Sequence, residues 1–177
     1  MTTTRILSVW IGNLADYNAG LLNGHWFDLD DYDAETLQEA VDELTNGGDD
    51  EFFIADYETP FDITVNEYTS INGLYERYEV YENIIDEYGD DATDIINAYS
   101  NMISDSITNI GSYDFYIYSN CYNMADVAYE IMEQSGELDE MPEHLRRYFD
   151  FESYGRDIEI ERTFYYAGGG VYVEIVS

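Results

Sequence analysis

The sequence predicts an α+β protein built as an elongated chain of three small modules: mixed α/β over 1–61, helical over 62–110 and mixed α/β again over 111–177. Three observations carry that reading. Apolar residues make up 45% of the chain and aromatics 16%, with 19 Tyr and only two Pro, which is enough to build cores. Short apolar segments bounded by turn residues occupy both ends, whereas the middle third changes to spacings of three and four. The formal net charge of −33 is shared along the chain, as −13, −10 and −10 over 1–60, 61–110 and 111–177. An acidic tail would concentrate that charge in one block.

In the first module, strands are expected at Arg5–Ile11, Trp26–Leu29 and Glu51–Ala55, with turns at Asn23-Gly24 and Gly47-Gly48. Between them Asp33 caps a helix whose Leu37, Val41 and Leu44 fall on one face. The pattern breaks at Thr59-Pro60-Phe61. A long helix then uses Leu74, Tyr78, Tyr81, Ile85 and Tyr88, and Gly89 ends it. A second helix starting at Asp90 or Asp91 turns Ile95, Tyr99, Met102 and Ile103 inward. In the last module Tyr113–Tyr118 is a strand and Met124–Gln134 an amphipathic helix that stops before Gly136. Pro142 opens a helical stretch through His144–Asp157, broken or bent near Gly155, and Gly168-Gly169-Gly170 turns the chain into a final strand, Val171–Val176.

Composition excludes several classes. High charge alone suggests disorder, but the apolar and aromatic content contradicts it. No stretch approaches 18 apolar residues, and the opening MTTTRILSVW lacks the apolar run of a signal peptide, so a cytoplasmic protein is expected. A single Cys121 precludes an intrachain disulfide framework. Membrane surfaces and nucleic acids are anionic, and neither is expected to bind directly.

Carboxylates in such numbers raise metal and catalytic readings. Asp28, Asp30 and Glu39 match positions 1, 3 and 12 of a calcium loop, but position 5 is Tyr32 and position 6 is Asp33, where the bend requires Gly. Asp49, Asp50 and Glu51 read as a solvated acidic turn. His25 and His144 stand in different modules with no nucleophile or zinc spacing beside them. The glycine run lacks the flanking Lys and Ser of a phosphate loop. No catalytic residue, cofactor or metal site is expected.

A distributed acidic surface suits imitation of a nucleic-acid backbone. At one charge per about 1.7 Å of duplex axis, the chain equals about 56 Å of DNA, roughly 16 base pairs, and a two-fold dimer about 33. A compact body of this mass offers about 270 Å² per net charge against about 107 Å² on DNA, so the carboxylates must gather on chosen faces of an extended molecule. Helical spacing of three or four sets carboxylates about 5–6 Å apart, like neighbouring phosphates. Glu76, Glu79, Glu82 and Asp86 form such a row, and with Asp28, Asp30, Asp31, Glu35, Asp42 and Asp94 they make the candidate mimic surface. An ordinary solvated face would intersperse Lys and Arg. This chain has no Lys, and its middle module carries only Arg77.

Four of the six Arg residues, Arg146, Arg147, Arg156 and Arg162, cluster near Tyr148, Phe149, Phe151 and Tyr154. Arg and Tyr anchor protein interfaces, so Tyr148 and Arg156 are candidate subunit contacts. Local pairing with Asp150, Glu152, Asp157 and Glu161 is the alternative.

Particular words add a resemblance. Leu14-Ala15-Asp16-Tyr17-Asn18-Ala19-Gly20, Gly24-His25-Trp26-Phe27-Asp28, Ala55-Asp56-Tyr57-Glu58-Thr59-Pro60-Phe61, Asn66-Glu67-Tyr68-Thr69-Ser70-Ile71 and Tyr148–Asp157 resemble the ArdA antirestriction proteins across nearly the whole chain. That resemblance implies an elongated, three-domain homodimer shaped and charged like bent B-form DNA. Such a dimer occupies the DNA groove of type I restriction-modification enzymes, blocks restriction and often modification, and is carried on mobile elements. It also implies that the segment around Ser119–Gly136, with Cys121, Tyr122, Asp126, Tyr129, Glu130 and Glu133, serves antirestriction and dimerisation. Three other expectations stand beside it: an acidic protein that sequesters basic DNA-binding proteins, a salt-adapted protein, and a carboxylate-dependent hydrolase.

Overall fold

The computed structural model describes residues 5–177; the first four residues of the expected 1–61 module lie outside the described residues. The fold is mixed α/β, with two small three-stranded sheets and several helices. Packing divides the chain into two compact units, Met1–Ile96 and Asn97–Ser177.

In the first unit, β1 (Ser8–Asn13) is the central strand, with β2 (Gly24–Asp28) and β3 (Phe52–Glu58) antiparallel on either side. The strand begins three residues later than its apolar pattern suggests. Ile6 N–H donates to Asp30 Oδ2 at 3.2 Å, which takes it out of any ladder. Leu7, Val9 and Ile11 face the core, while Ser8, Trp10 and Gly12 alternate onto the other face, where Trp10 lies opposite Trp26. Between β1 and β2 runs α1 (Leu14–Asn18), capped by Asn13, whose side chain accepts from Asp16 N and donates to Leu44 O and Asp50 Oδ2. That one buried Asn joins three segments.

The helix α2 (Ala34–Leu44) starts where Asp33 predicts, in a reciprocal cap with Thr36, and it buries Leu37 and Val41. The helix α3 (Ile71–Tyr88) is capped by Ser70 and ends at Gly89, which has φ of 57°. Its Ile71, Leu74, Tyr75 and Tyr78 join Leu7, Val9, Ile11, Phe27, Leu37, Val41 and Ile54 in one core. Further along α3, Ile84 is buried and Ile85 is only half-buried, a shift of one position from the expected stripe. In α4 (Ala92–Met102), Ile95 and Tyr99 are buried as expected, but Met102 is 44% exposed because the helix ends on it.

The second unit repeats the layout in another order. Its central strand is β6 (Val171–Val176), flanked by β4 (Asp114–Ser119) and β5 (Thr163–Gly168), all antiparallel. Gly168, Gly169 and Gly170, with φ of 93°, 60° and 80°, turn β5 into β6 through a left-handed path that side chains rarely follow. The helix α5 (Met124–Gln134) has the predicted bounds, with Asn123 as its cap. Short turns α6 (Glu137–Glu140) and α7 (Glu143–Arg146) lead to α8 (Phe151–Glu161).

The helical stretch expected over His144–Asp157 therefore breaks at residues 147–150, not at Gly155. Asp150 accepts from Ser153 N at 3.0 Å and starts a new helix, which passes through Gly155 without interruption. Gly155 is instead where α8 meets α5, since a Cβ there would lie 2.5 Å from Met124 O. Around this crossing Tyr118, Cys121, Val127, Ala128, Ile158 and Phe164 form the second core. Gly155→Ala should therefore cost about 1–3 kcal/mol in urea unfolding. Gly111→Ala, where an added Cβ meets nothing within 4 Å, should leave the midpoint unchanged.

Candidate functional site

Burial sorts the charge. Among the described acidic residues Glu174 is the one that is buried; the others are exposed or half-buried. On α3 the apolar face turns inward and leaves Glu76, Glu79, Glu82 and Asp86 exposed along the other side. Arg77, on the same helix, donates its Nη1 to Thr64 O at 3.0 Å and forms no salt bridge among the described residues. Asp31 and Glu35 are exposed as well.

The remaining candidates of the first unit are tied into the fold. Asp28 is held 2.5 Å from Arg5, and its side chain is only 11% exposed. Burial is the largest influence on it, and its carboxyl titrates above the usual range despite the Asp30 N–H that it accepts. Asp30 accepts from Tyr78 Oη at 2.6 Å and from Ile6 N. Asp42 is half-buried and accepts from Gln38 Nε2 at 2.8 Å. Asp94 is half-buried, and burial, then the charge of Asp91, raises its pKa. No group of three or more His, Cys, Asp or Glu among the described residues is placed to hold a metal ion.

The non-core face of the first sheet carries a cavity of about 490 Å³ lined by Arg5, Ser8, Trp26, Asp28, Asp31, Tyr32 and Glu58. Trp26 is 47% exposed on this face. Alternation along β1 and β2 was the available signal, because it sets Trp26 on the face opposite Phe27.

In the second unit, Cys121 is 1% exposed, and burial, reinforced by the charges of Glu130 and Asp126, pushes its thiol up to about 11. Its place is the core under the surface, not the surface. Tyr122 is 65% exposed and lies over Gly170, and its N–H donates to Asp126 Oδ2 at 2.8 Å. Tyr129 is exposed at the edge of a chain of rings running through Phe151 and Phe149 to Tyr154. Glu130 is half-buried and Glu133 exposed.

Tyr148 is 74% exposed with the Arg147 guanidinium 5.3 Å from its ring, and exposed Arg156 donates to Ser153 Oγ. Arg146 pairs with Asp139 and Arg162 with Glu174, neither of them a carboxylate that sequence proximity suggested. Glu174 itself escaped the sequence reading. It accepts from Tyr118 Oη at 2.7 Å and Arg162 Nη1 at 3.3 Å beside a cavity of about 670 Å³. An acid within the apolar run Val171–Val176 was the signal.

These features define a class: a small acidic α/β protein that keeps nearly all of its described carboxylates on the outside of its apolar cores. Residues 9–173 match the family model described as antirestriction protein (ArdA), and the chain belongs to that family. Membership carries a general antirestriction role and implies interaction with type I restriction-modification enzymes. No curated protein matches the chain. No helix among the described residues is long and apolar enough to cross a membrane.

Two outcomes follow from the second unit. In the folded protein at pH 8, Cys121 should react with a disulfide reagent on the order of a hundredfold more slowly than in urea, because only the thiolate attacks. Tyr118→Phe removes a donor from buried Glu174 and should cost about 1–3 kcal/mol, read by the shift of the thermal midpoint.

Proposed function

We propose that the protein inhibits type I restriction-modification enzymes by filling their DNA groove with carboxylates that stand in for the phosphates of B-form DNA. The observation that carries this reading is the exposure of its charge: every described acidic residue but Glu174 reaches solvent, and the sequence has no Lys to neutralise them. A basic channel accepts a polyanion because binding releases counterions, and a second polyanion competes on the same terms.

In this reading Glu76, Glu79, Glu82 and Asp86 form a phosphate-like row, with Asp31 and Glu35 as further free contacts. Asp28, Asp30, Asp42 and Asp94 contribute to the field from fixed positions. The working form is an elongated homodimer with modules at 1–61, 62–110 and 111–177 in each chain. Exposed Tyr122, Tyr129, Tyr148 and Arg156, with Asp126, Glu130 and Glu133, provide its contact and antirestriction region, and Cys121 supports them from beneath. Restriction is blocked because cleavage needs DNA in that groove; no catalytic step or cofactor takes part.

The test is DNA cleavage by a purified type I enzyme with increasing amounts of the protein. Inhibition should weaken as salt rises. Replacing Glu76, Glu79 and Glu82 together by Gln should raise the concentration needed and flatten the salt slope by about one for each of these carboxylates that meets a base in the channel. Unchanged cleavage with no complex at low salt would overturn the proposal. Capture of basic DNA-binding proteins in its place would point to sequestration.

A further inference from the structure

The non-core face of the first sheet is built differently from the helical carboxylate row. Register sets Asp28 and Glu58 on either side of Ser8, so two acids face outward across a small residue that is itself 4% exposed. With strands about 4.8 Å apart, the two acid positions are separated by about 10 Å. Trp26, two residues before Asp28 on the same face, and Tyr32 line the same cavity and are 47% and 37% exposed. Asp31 completes the acidic lining.

One guanidinium is already seated here, since Arg5 Nε lies 2.5 Å from Asp28. The side chains of Asp31 and Glu58 have no hydrogen bond or ion pair among the described residues. Three carboxylates against one base leave the lining with a net of two negative charges.

We infer that this cavity receives an arginine side chain from the basic surface of the protein's target, its guanidinium stacked on Trp26 or Tyr32 and bonded by Asp31 and Glu58. The inference rests on the reading of the protein as a competitor for a basic DNA channel. It adds something that phosphate imitation does not contain, because phosphates offer charge without aromatic walls. A planar, weakly hydrated guanidinium gains from an aromatic face and a forked carboxylate contact, whereas a compact, strongly hydrated ammonium gains mainly from charge. A metal ion would find carboxylates on the rim but no ligand atoms in the indole or phenol ring faces. The surface therefore distinguishes arginine from lysine, which a plain array of carboxylates does not.

The test titrates the full chain with two peptides of equal length and charge, one carrying four Arg and the other four Lys between glycines, while the indole N–H resonances are followed. The Arg peptide should bind about three- to fivefold more tightly and should shift the Trp26 resonance, identified with Trp26→Leu. Asp31→Asn combined with Glu58→Gln should weaken the Arg peptide more than the Lys peptide and so shrink the preference. Glu76→Gln with Glu79→Gln should weaken both alike and preserve the preference. Both acids of the first pair are exposed, so the test stands even if Trp26→Leu disturbs the sheet.

Equal affinity of the unaltered protein for the two peptides would overturn the inference, as would a preference that the Asp31 and Glu58 changes leave undiminished. Enzyme inhibition measured alongside separates the two readings. Full inhibition without arginine preference removes the cavity's role and leaves the DNA imitation standing; arginine preference without inhibition supports the cavity and removes the proposed function.

Discussion

Mutual repulsion among uncompensated carboxylates is the constraint under which the rest of the molecule is arranged. With 39 acidic residues and six Arg, the chain lacks the cations that usually hold carboxylates in place. Neutral donors replace them. Tyr78 donates to Asp30, Tyr118 to Glu174, Thr36 to Asp33 and Ser153 to Asp150, and backbone N–H groups at helix starts do the same. Each bond fixes an acid without cancelling its charge. Tyr78 and Tyr118 each supply both a core-filling ring and a donor at its rim.

Those donors work because they themselves stay protonated. Burial raises the pKa of Tyr78 and Tyr118 above the ordinary tyrosine value, and the carboxylate beside each raises it further. Asp33 and Asp150, bonded by the cap hydroxyls and amides, shift downward. A carboxyl with a depressed folded pKa adds stability above its unfolded pKa and loses that contribution as pH falls through the folded value. The caps thus favour the charged form while the fold is intact, and they weaken in acid as the repulsion itself subsides.

The sequence made the long, strongly patterned elements readable and hid the short or two-faced ones. Asp33 announced α2, and α5 and β6 were legible to the residue, because caps, glycine turns and spacing agree there. The strand β5 was not legible: Phe164 is buried, Tyr165 half-buried and Tyr166 exposed, so aromatics on both faces erase the alternation. Five residues of α1 bury no side chain and leave no periodic trace. For the surface, sequence identified the row on α3 but could not separate free acids from bonded ones. Asp28 and Asp31 look alike until Arg5 and the sheet register distinguish them.

That separation gives the acidic surface two mechanical grades. Short Asp side chains at Asp30, Asp33 and Asp150 are pinned by donors belonging to the fold, so their charges keep fixed coordinates relative to the backbone. Glu76 and Glu79 on α3 stand exposed on longer stems and can change rotamer without breaking the helix. Within each unit, pinned charges keep their spacing while the longer stems comply, so the acidic surface is part rigid and part yielding. Such a surface can adjust the positions of its free charges without any change in the backbone that carries them.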